Sequence, residues 1–166
     1  MSNLTYDQAS ALLAYDPETG DLTWKAAVCN VKPGDRAGTV GGGGGYLSVQ
    51  LGGRRYQAHR LAWLLMTGVW PTGQVDHRDG SRINNKWSNL RDVTQSVNQQ
   101  NQRQPHQRST TGLLGVRRIG RLTLKPFTAT IKVSGRNRHL GCFTTAEEAY
   151  AAYLTAKRQL HEGNTL

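Results

Sequence analysis

The chain has few of the devices that hold small proteins together from outside. Only two of its 166 residues are cysteine, Cys29 and Cys142. They form neither a disulfide framework nor a CxxC zinc knuckle. No apolar run approaches the roughly 18 residues of a membrane span. The stretch Met1-Ser2-Asn3-Leu4-Thr5-Tyr6-Asp7 lacks the basic and apolar regions of a signal peptide. These absences exclude a membrane protein, a secreted disulfide scaffold and a zinc-finger protein, and they lead us to expect a cytoplasmic location. Acid is also scarce, with 11 Asp+Glu against 21 Lys+Arg and a net charge of +10. A surplus this large points to a polyanionic partner, either nucleic acid or an anionic membrane surface. Hydrophobic residues are 37% of the chain, enough for a modest core in one domain or two very small ones.

The shortage of acid is local. Residues 1–102 hold 10 Lys+Arg and 8 Asp+Glu, a net of +2, whereas residues 103–166 hold 11 and 3, a net of +8. Between Asp92 and Glu147 there is no acidic residue at all, and nine Lys+Arg fall in that gap. Unopposed cations repel one another unless phosphates neutralise them, so this stretch reads as a polyanion-binding surface rather than a solvated face. Aromatics are 7% of residues and few interleave with the basic segment, which gives an RNA-binding reading little support.

Along the chain, Thr5-Tyr6-Asp7-Gln8 reads as a capping box opening a short helix that carries Ala9, Leu12 and Leu13. Tyr15 to Trp24 reads as two short strands around an Asp-Pro…Gly turn. Gly41 to Gly45 lack the GK[ST] of a phosphate loop and read as a mobile turn. Tyr46 to Leu51 and Arg54 to Ala58 flank Gly52-Gly53, a hairpin signal, and Leu61 to Met66 is an apolar helix stopped by Gly68 and Pro71. Extended pieces at Gln74 to His77 and around Asn89 to Arg91 precede a helix near Thr94. Gln99 to Gly112, rich in Gln, Asn and Arg, reads as a linker. Three strands are expected at Gly115 to Arg118, Phe127 to Val133 and Arg138 to Leu140. A helix capped at Thr144 to Glu148 follows, with Ala149, Tyr150, Tyr153, Ala156 and Leu160 on one face.

The chemistry concentrates between Val75 and Arg91. Asp76 beside His77 joins a hard oxygen ligand to a base that takes a proton near neutral pH. Successive strand residues point to opposite faces, so the two share a site only if the strand ends there, and Arg78-Asp79-Gly80 supplies that break. Asn98, on the following helix, offers a carbonyl oxygen, with Asn101 one turn away as the competing candidate. Asp plus Asn is an all-oxygen set that suits Mg²⁺ or Mn²⁺ better than Zn²⁺. Arg78, Arg82 and Arg91 read either as phosphate clamps or as solvated surface charges. His59 reads as a buried structural histidine at the head of the apolar helix, with a site or phosphate ligand as the other reading.

On Ala58-His59-Arg60-Leu61-Ala62-Trp63, Pro71, Val75-Asp76-His77, Asn84-Asn85, Asn89-Leu90-Arg91 and Asn98, residues 46–102 resemble the HNH endonucleases of the phage and intron homing type. The resemblance implies a ββα-metal (His-Me) finger around one divalent ion. Within it, Asp76 is the metal-binding acid and His77 the general base. Asn89 steadies the loop and orients the histidine, and Asn98 is the last letter, here Asn rather than His.

In the back part, alternation puts Phe127, Ala129, Ile131 and Val133 on one strand face and Thr128, Thr130 and Lys132 on the other. Arg117, Arg118, Arg121, Lys125, Arg136, Arg138 and His139 border that polar face. From Gly115-Val116-Arg117, Phe127 to Lys132, Leu140-Gly141-Cys142-Phe143 and Thr145 to Ala149, residues 112–161 resemble the APETALA2-type DNA-binding domain. That resemblance implies DNA-facing Arg117, Thr130, Lys132 and His139, the last standing where the plant domain has tryptophan.

The combined expectation is an α+β protein. Residues 1–102 form an HNH nuclease domain, 103–111 a linker and 112–166 an APETALA2-like domain of three strands and a helix. The implied activity is site-specific, metal-dependent cleavage of double-stranded DNA in a bacterial or phage-infected cell. A monomer would nick, and a homodimer or two successive nicks would break both strands. The rival is a DNA-binding regulator with an inactive finger.

Overall fold

In the computed structural model, residues 4–28, 30–41, 44–105, 109–120, 123–161 and 164 are described. Cys29, Arg121 and part of the glycine run (Gly42 and Gly43) lie outside them. The chain divides into two compact units, Met1–Val93 and Thr94–Leu166.

In the front unit, the capping box forms as read. The Thr5 hydroxyl accepts from the Gln8 N–H, and the Gln8 side chain accepts from the Thr5 N–H. Helix α1 (Tyr6–Leu12) stops one residue short of expectation. Leu13 turns to extended backbone and opens β1 (Leu13–Tyr15), which pairs antiparallel with β2 (Leu22–Trp24). A buried leucine serves a helix face or a strand face equally, so periodicity could not separate the two. The glycine pair joins β4 (Leu47–Leu51) to β5 (Arg54–Gln57), and a two-residue β3 (Thr39–Val40) adds to their edge. Both β3 residues are exposed, so no apolar alternation announced that strand.

Helix α2 (Ala58–Thr67) begins earlier than Leu61 and buries Ala58, His59, Leu61, Ala62 and Leu64. Ala58 and Leu61 enter a core with Leu13, Leu22, Trp24, Val49 and Leu51. Ala62 packs with Val75 and Leu90, beside Tyr15 and Trp63. Val75 and Leu90 belong to β6 (Gln74–His77) and β7 (Leu90–Val93), an antiparallel ribbon with Asp76 opposite Arg91 and His77 opposite Leu90. The polar loop between these strands ends in one 3-10 turn, Trp87–Asn89. Asp92 fastens the entry to the ribbon by accepting from the Thr72 and Gly73 N–H groups, both at 2.8 Å.

In the back unit, the Thr94 hydroxyl accepts from the Val97 N–H and caps α3 (Gln95–Gln100). The three strands are β8 (Val116–Arg118), β9 (Phe127–Val133) and β10 (Arg136–Phe143), antiparallel in the order β10-β9-β8. Helix α4 (Ala146–Leu160) opens on a capping box of Thr145 and Glu148. Ala149, Tyr153 and Ala156 on it close a core with Leu114, Val116, Ala129 and Ile131. Lys157 extends the same stripe and is fully buried, its Nζ donating to the Gln102 carbonyl at 2.5 Å. The segment 103–111, expected as a linker, falls within this unit. Among the described residues, small sheets with four helices are compatible with the α+β reading.

Candidate functional site

The ribbon of β6 and β7 sets Asp76 and His77 at its end and hands them to different neighbours. Asp76 is buried, and its Oδ2 accepts from Arg91 Nε at 2.9 Å and Nη2 at 2.7 Å. Arg91, read as a phosphate clamp or a surface charge, is thus the ion-pair partner of the buried carboxylate. A buried carboxylate needs such compensation, because leaving water costs an isolated charge heavily.

His77 lies within a different set of groups. Its Nε2 is 3.0 Å from Asn85 Oδ1, and both residues are buried. The His59 ring meets it edge-on, with centroids 5.0 Å apart at 83°, and the Tyr46 ring lies 6.0 Å away. His59 comes from α2 and is 4% exposed. Burial first, then His77 and Arg60, push its ring pKa down to about 3, so it stays neutral at physiological pH. Its Nδ1 and the Nδ2 of Asn85 are buried without a hydrogen-bond partner. Arg82 leans over the Tyr46 ring, 5.2 Å from its centroid, and donates to the Gly44 carbonyl at 2.7 Å. In sequence Tyr46 reads only as part of a strand, and its contribution to this cluster depends on tertiary placement.

Asn89 is buried and braces the loop. Its Nδ2 donates to Asp79 Oδ1 at 2.9 Å and to the Asn84 carbonyl at 2.8 Å, while its Oδ1 accepts from the Asp79 N–H at 3.0 Å. The Asn89 carbonyl accepts from the Arg78 N–H at 2.9 Å. Burial pushes the Asp79 carboxyl up, but bonds from Asn84, Ser81 and Asn89 and the nearby His77 leave it below the usual range. Asn98 lies on α3 in the other unit, and Asn101 there is buried.

Most of these residues, though not Gly44, Tyr46 or Asn101, lie in one matched segment. Residues 56–100 match the HNH endonuclease family. The HNH segment runs from β5 to the end of α3 and contains Asp76, His77, Asn85, Asn89 and Asn98. It supports a nuclease, a hydrolase acting on DNA. Neither a curated protein nor a solved structure matches the chain.

HNH nucleases typically use a divalent metal, and the donor set here can be tested against one. Among the described residues no three His, Cys, Asp or Glu side chains gather as a zinc-type cluster. Asp76 offers a buried carboxylate whose two Arg91 bonds both fall on Oδ2. Magnesium-type ions take one or two carboxylates and keep several waters, so this oxygen chemistry fits a hard divalent ion.

In the back unit, cross-strand partners sort the basic residues by face. Arg117 pairs with Thr128, His139 with Thr130 and Asn137 with Lys132. Arg118 pairs with Phe127 and Arg138 with Ile131, in the register of the core face. Antiparallel partners point to the same side, so Arg117, Thr130, Lys132 and His139 share the face away from α4. All four are exposed, as are Arg118 and Arg138. Thr128, expected on the bare polar face, is buried because its hydroxyl is engaged by His139 Nδ1 at 3.1 Å and by the Gly141 carbonyl at 3.3 Å.

Proposed function

We propose that the protein is a site-specific, metal-dependent DNA endonuclease of the homing type. The front unit cuts, and the sheet of the back unit, read as an APETALA2-like domain, engages the duplex. The observation that carries the reading is the Asp76-His77 pair, buried at the end of the β6–β7 ribbon inside the HNH segment. His77 removes the proton from the attacking water. Asn89 keeps the loop after β6 in shape for that task. Asp76 is the residue of the front unit that would hold a divalent ion, either Mg²⁺ or Mn²⁺. When bound, such an ion supplies positive charge against the charge building on the phosphate and the departing oxygen. Arg82 and Arg78 face neighbouring phosphates, since a guanidinium grips two phosphate oxygens at once. Arg117, Thr130, Lys132 and His139 present a basic sheet face to the major groove, with Arg118 and Arg138 alongside. One such site per chain implies nicking by a monomer, or a double-strand break by a dimer.

A plasmid assay tests this. Supercoiled DNA with Mg²⁺ or Mn²⁺ should become nicked or linear, and a chelator should stop the reaction. Supercoiled DNA left intact by both ions, with binding retained, would instead leave a DNA-binding regulator with an inactive finger.

A further inference from the structure

We propose that Asn85 is the positioning residue of His77, holding the imidazole with its proton on Nε2 and its lone pair on Nδ1. The inference rests on the reading of His77 as general base and names the device that prepares it.

An amide oxygen can only accept, so the ring nitrogen facing Asn85 Oδ1 at 3.0 Å carries the proton. In a neutral imidazole the other nitrogen is then the base, and the bond at one nitrogen decides the chemistry at the other. Asn89, the residue expected to orient the histidine, gives its side-chain bonds to Asp79 and Asn84 instead. The two asparagines therefore divide the work. Asn89 holds the loop and Asn85 holds the ring.

Asn85 is itself fixed by the β1–β2 hairpin, which lies wholly outside the HNH segment. The Tyr15 hydroxyl donates to the Asn85 carbonyl at 2.7 Å. Burial first, then Asp16, push that hydroxyl up to about 12, so it remains a donor throughout the physiological range. The Trp87 N–H donates to the Pro17 carbonyl at 3.0 Å, pinning the chain just beyond Asn85. Gly20, with φ +79°, lets the hairpin turn come this close. A Cβ there would sit 2.5 Å from the Asn85 carbonyl carbon and from the Lys86 nitrogen. On another side the edge-on His59 ring, itself neutral, limits rotation of His77 without offering it a charge.

The test uses the full chain labelled with ¹⁵N-histidine. Long-range ¹H–¹⁵N spectra at a pH where the ring is neutral, assigned by loss of the signal in His77→Ala, report which nitrogen holds the proton. The expected result is a protonated Nε2 and a bare Nδ1 in wild type, with the two tautomers mixed in Asn85→Ala. In the plasmid assay Asn85→Ala should cut about 10- to 100-fold more slowly at saturating DNA with affinity unchanged. Asn85→Asp keeps an acceptor oxygen and should recover most of that rate. A bare Nε2 in wild type overturns the proposal, as does full activity in a folded Asn85→Ala protein, or an Asp variant as slow as Ala. If Asn85→Ala does not fold, the wild-type spectrum and the Asp variant decide. Wild type that cuts no DNA defeats the nuclease reading. A bare Nε2 in a protein that does cut defeats the Asn85 proposal alone.

Discussion

The two units use charge in opposite ways. The front unit, ending at Val93, carries the near-neutral part of the sequence, and several of its acids are engaged: Asp76 with Arg91, Asp21 with Arg36, and Asp92 on the backbone of Thr72 and Gly73. The back unit carries the +8 excess and spreads cations over a sheet face. A site that does chemistry needs buried charge, and buried charge must be compensated. A surface that holds a polyanion works best when its cations are left for the ligand. The units also differ as reporters, because Trp24, Trp63, Trp70 and Trp87 all precede Val93. Tryptophan fluorescence therefore follows the front unit alone.

The largest effect should come from breaking a buried pair. Asp76→Ala leaves the Arg91 guanidinium, 15% exposed, without its carboxylate. Urea melts followed by tryptophan should lose about 3–5 kcal/mol, while back-unit amide exchange stays unchanged. The counterpart in the back unit is Gly115→Ala. Gly115 has φ +71°, and a Cβ there would overlap the Tyr153 ring. Back-unit amide protection should fall by roughly 3 kcal/mol with the tryptophan transition unmoved. A common shift in either experiment would break the comparison.

At neutral pH His59 adds nothing to this ranking, because its effect is confined to acid. Its folded pKa near 3 lies below the ordinary 6.5, so the unfolded chain binds the extra proton. The stability of the front unit should be retained above pH 6.5 and fall by ~1.4 kcal/mol per pH unit towards pH 3. His59→Phe should flatten that slope in tryptophan-monitored melts. The smallest effect belongs to single cations of the back sheet. Arg117→Ala or Lys132→Ala should each lower the salt slope of DNA binding by about 1, and the cleavage rate at saturating protein should hold. An unchanged slope would remove the sheet from the interface.

Much of this was legible beforehand where a signal is local. The capping boxes at Thr5 and Thr145, the Gly52-Gly53 hairpin and the alternation of Phe127 to Val133 each carry their cause within a few residues. The spacing of Asp76, His77 and Asn89 was equally visible. What stayed hidden depended on tertiary partners. Arg91 reads as a clamp or a surface charge because nothing in sequence places it opposite Asp76. Asn85 was seen only as one of an asparagine pair, since its role depends on a hairpin about 70 residues earlier. Lys157 could not be foreseen as buried, because its acceptor is the carbonyl of Gln102.

The most direct measurement is cleavage of supercoiled plasmid by wild type and His77→Ala, with DNA binding measured on the same samples. The expected result is an equal affinity for DNA and, with Mg²⁺ or Mn²⁺, a rate at least about 100-fold lower for His77→Ala. A variant that binds and cuts at the wild-type rate would contradict the assignment of His77 as the base, and with it the separation of chemistry from recognition between the two units.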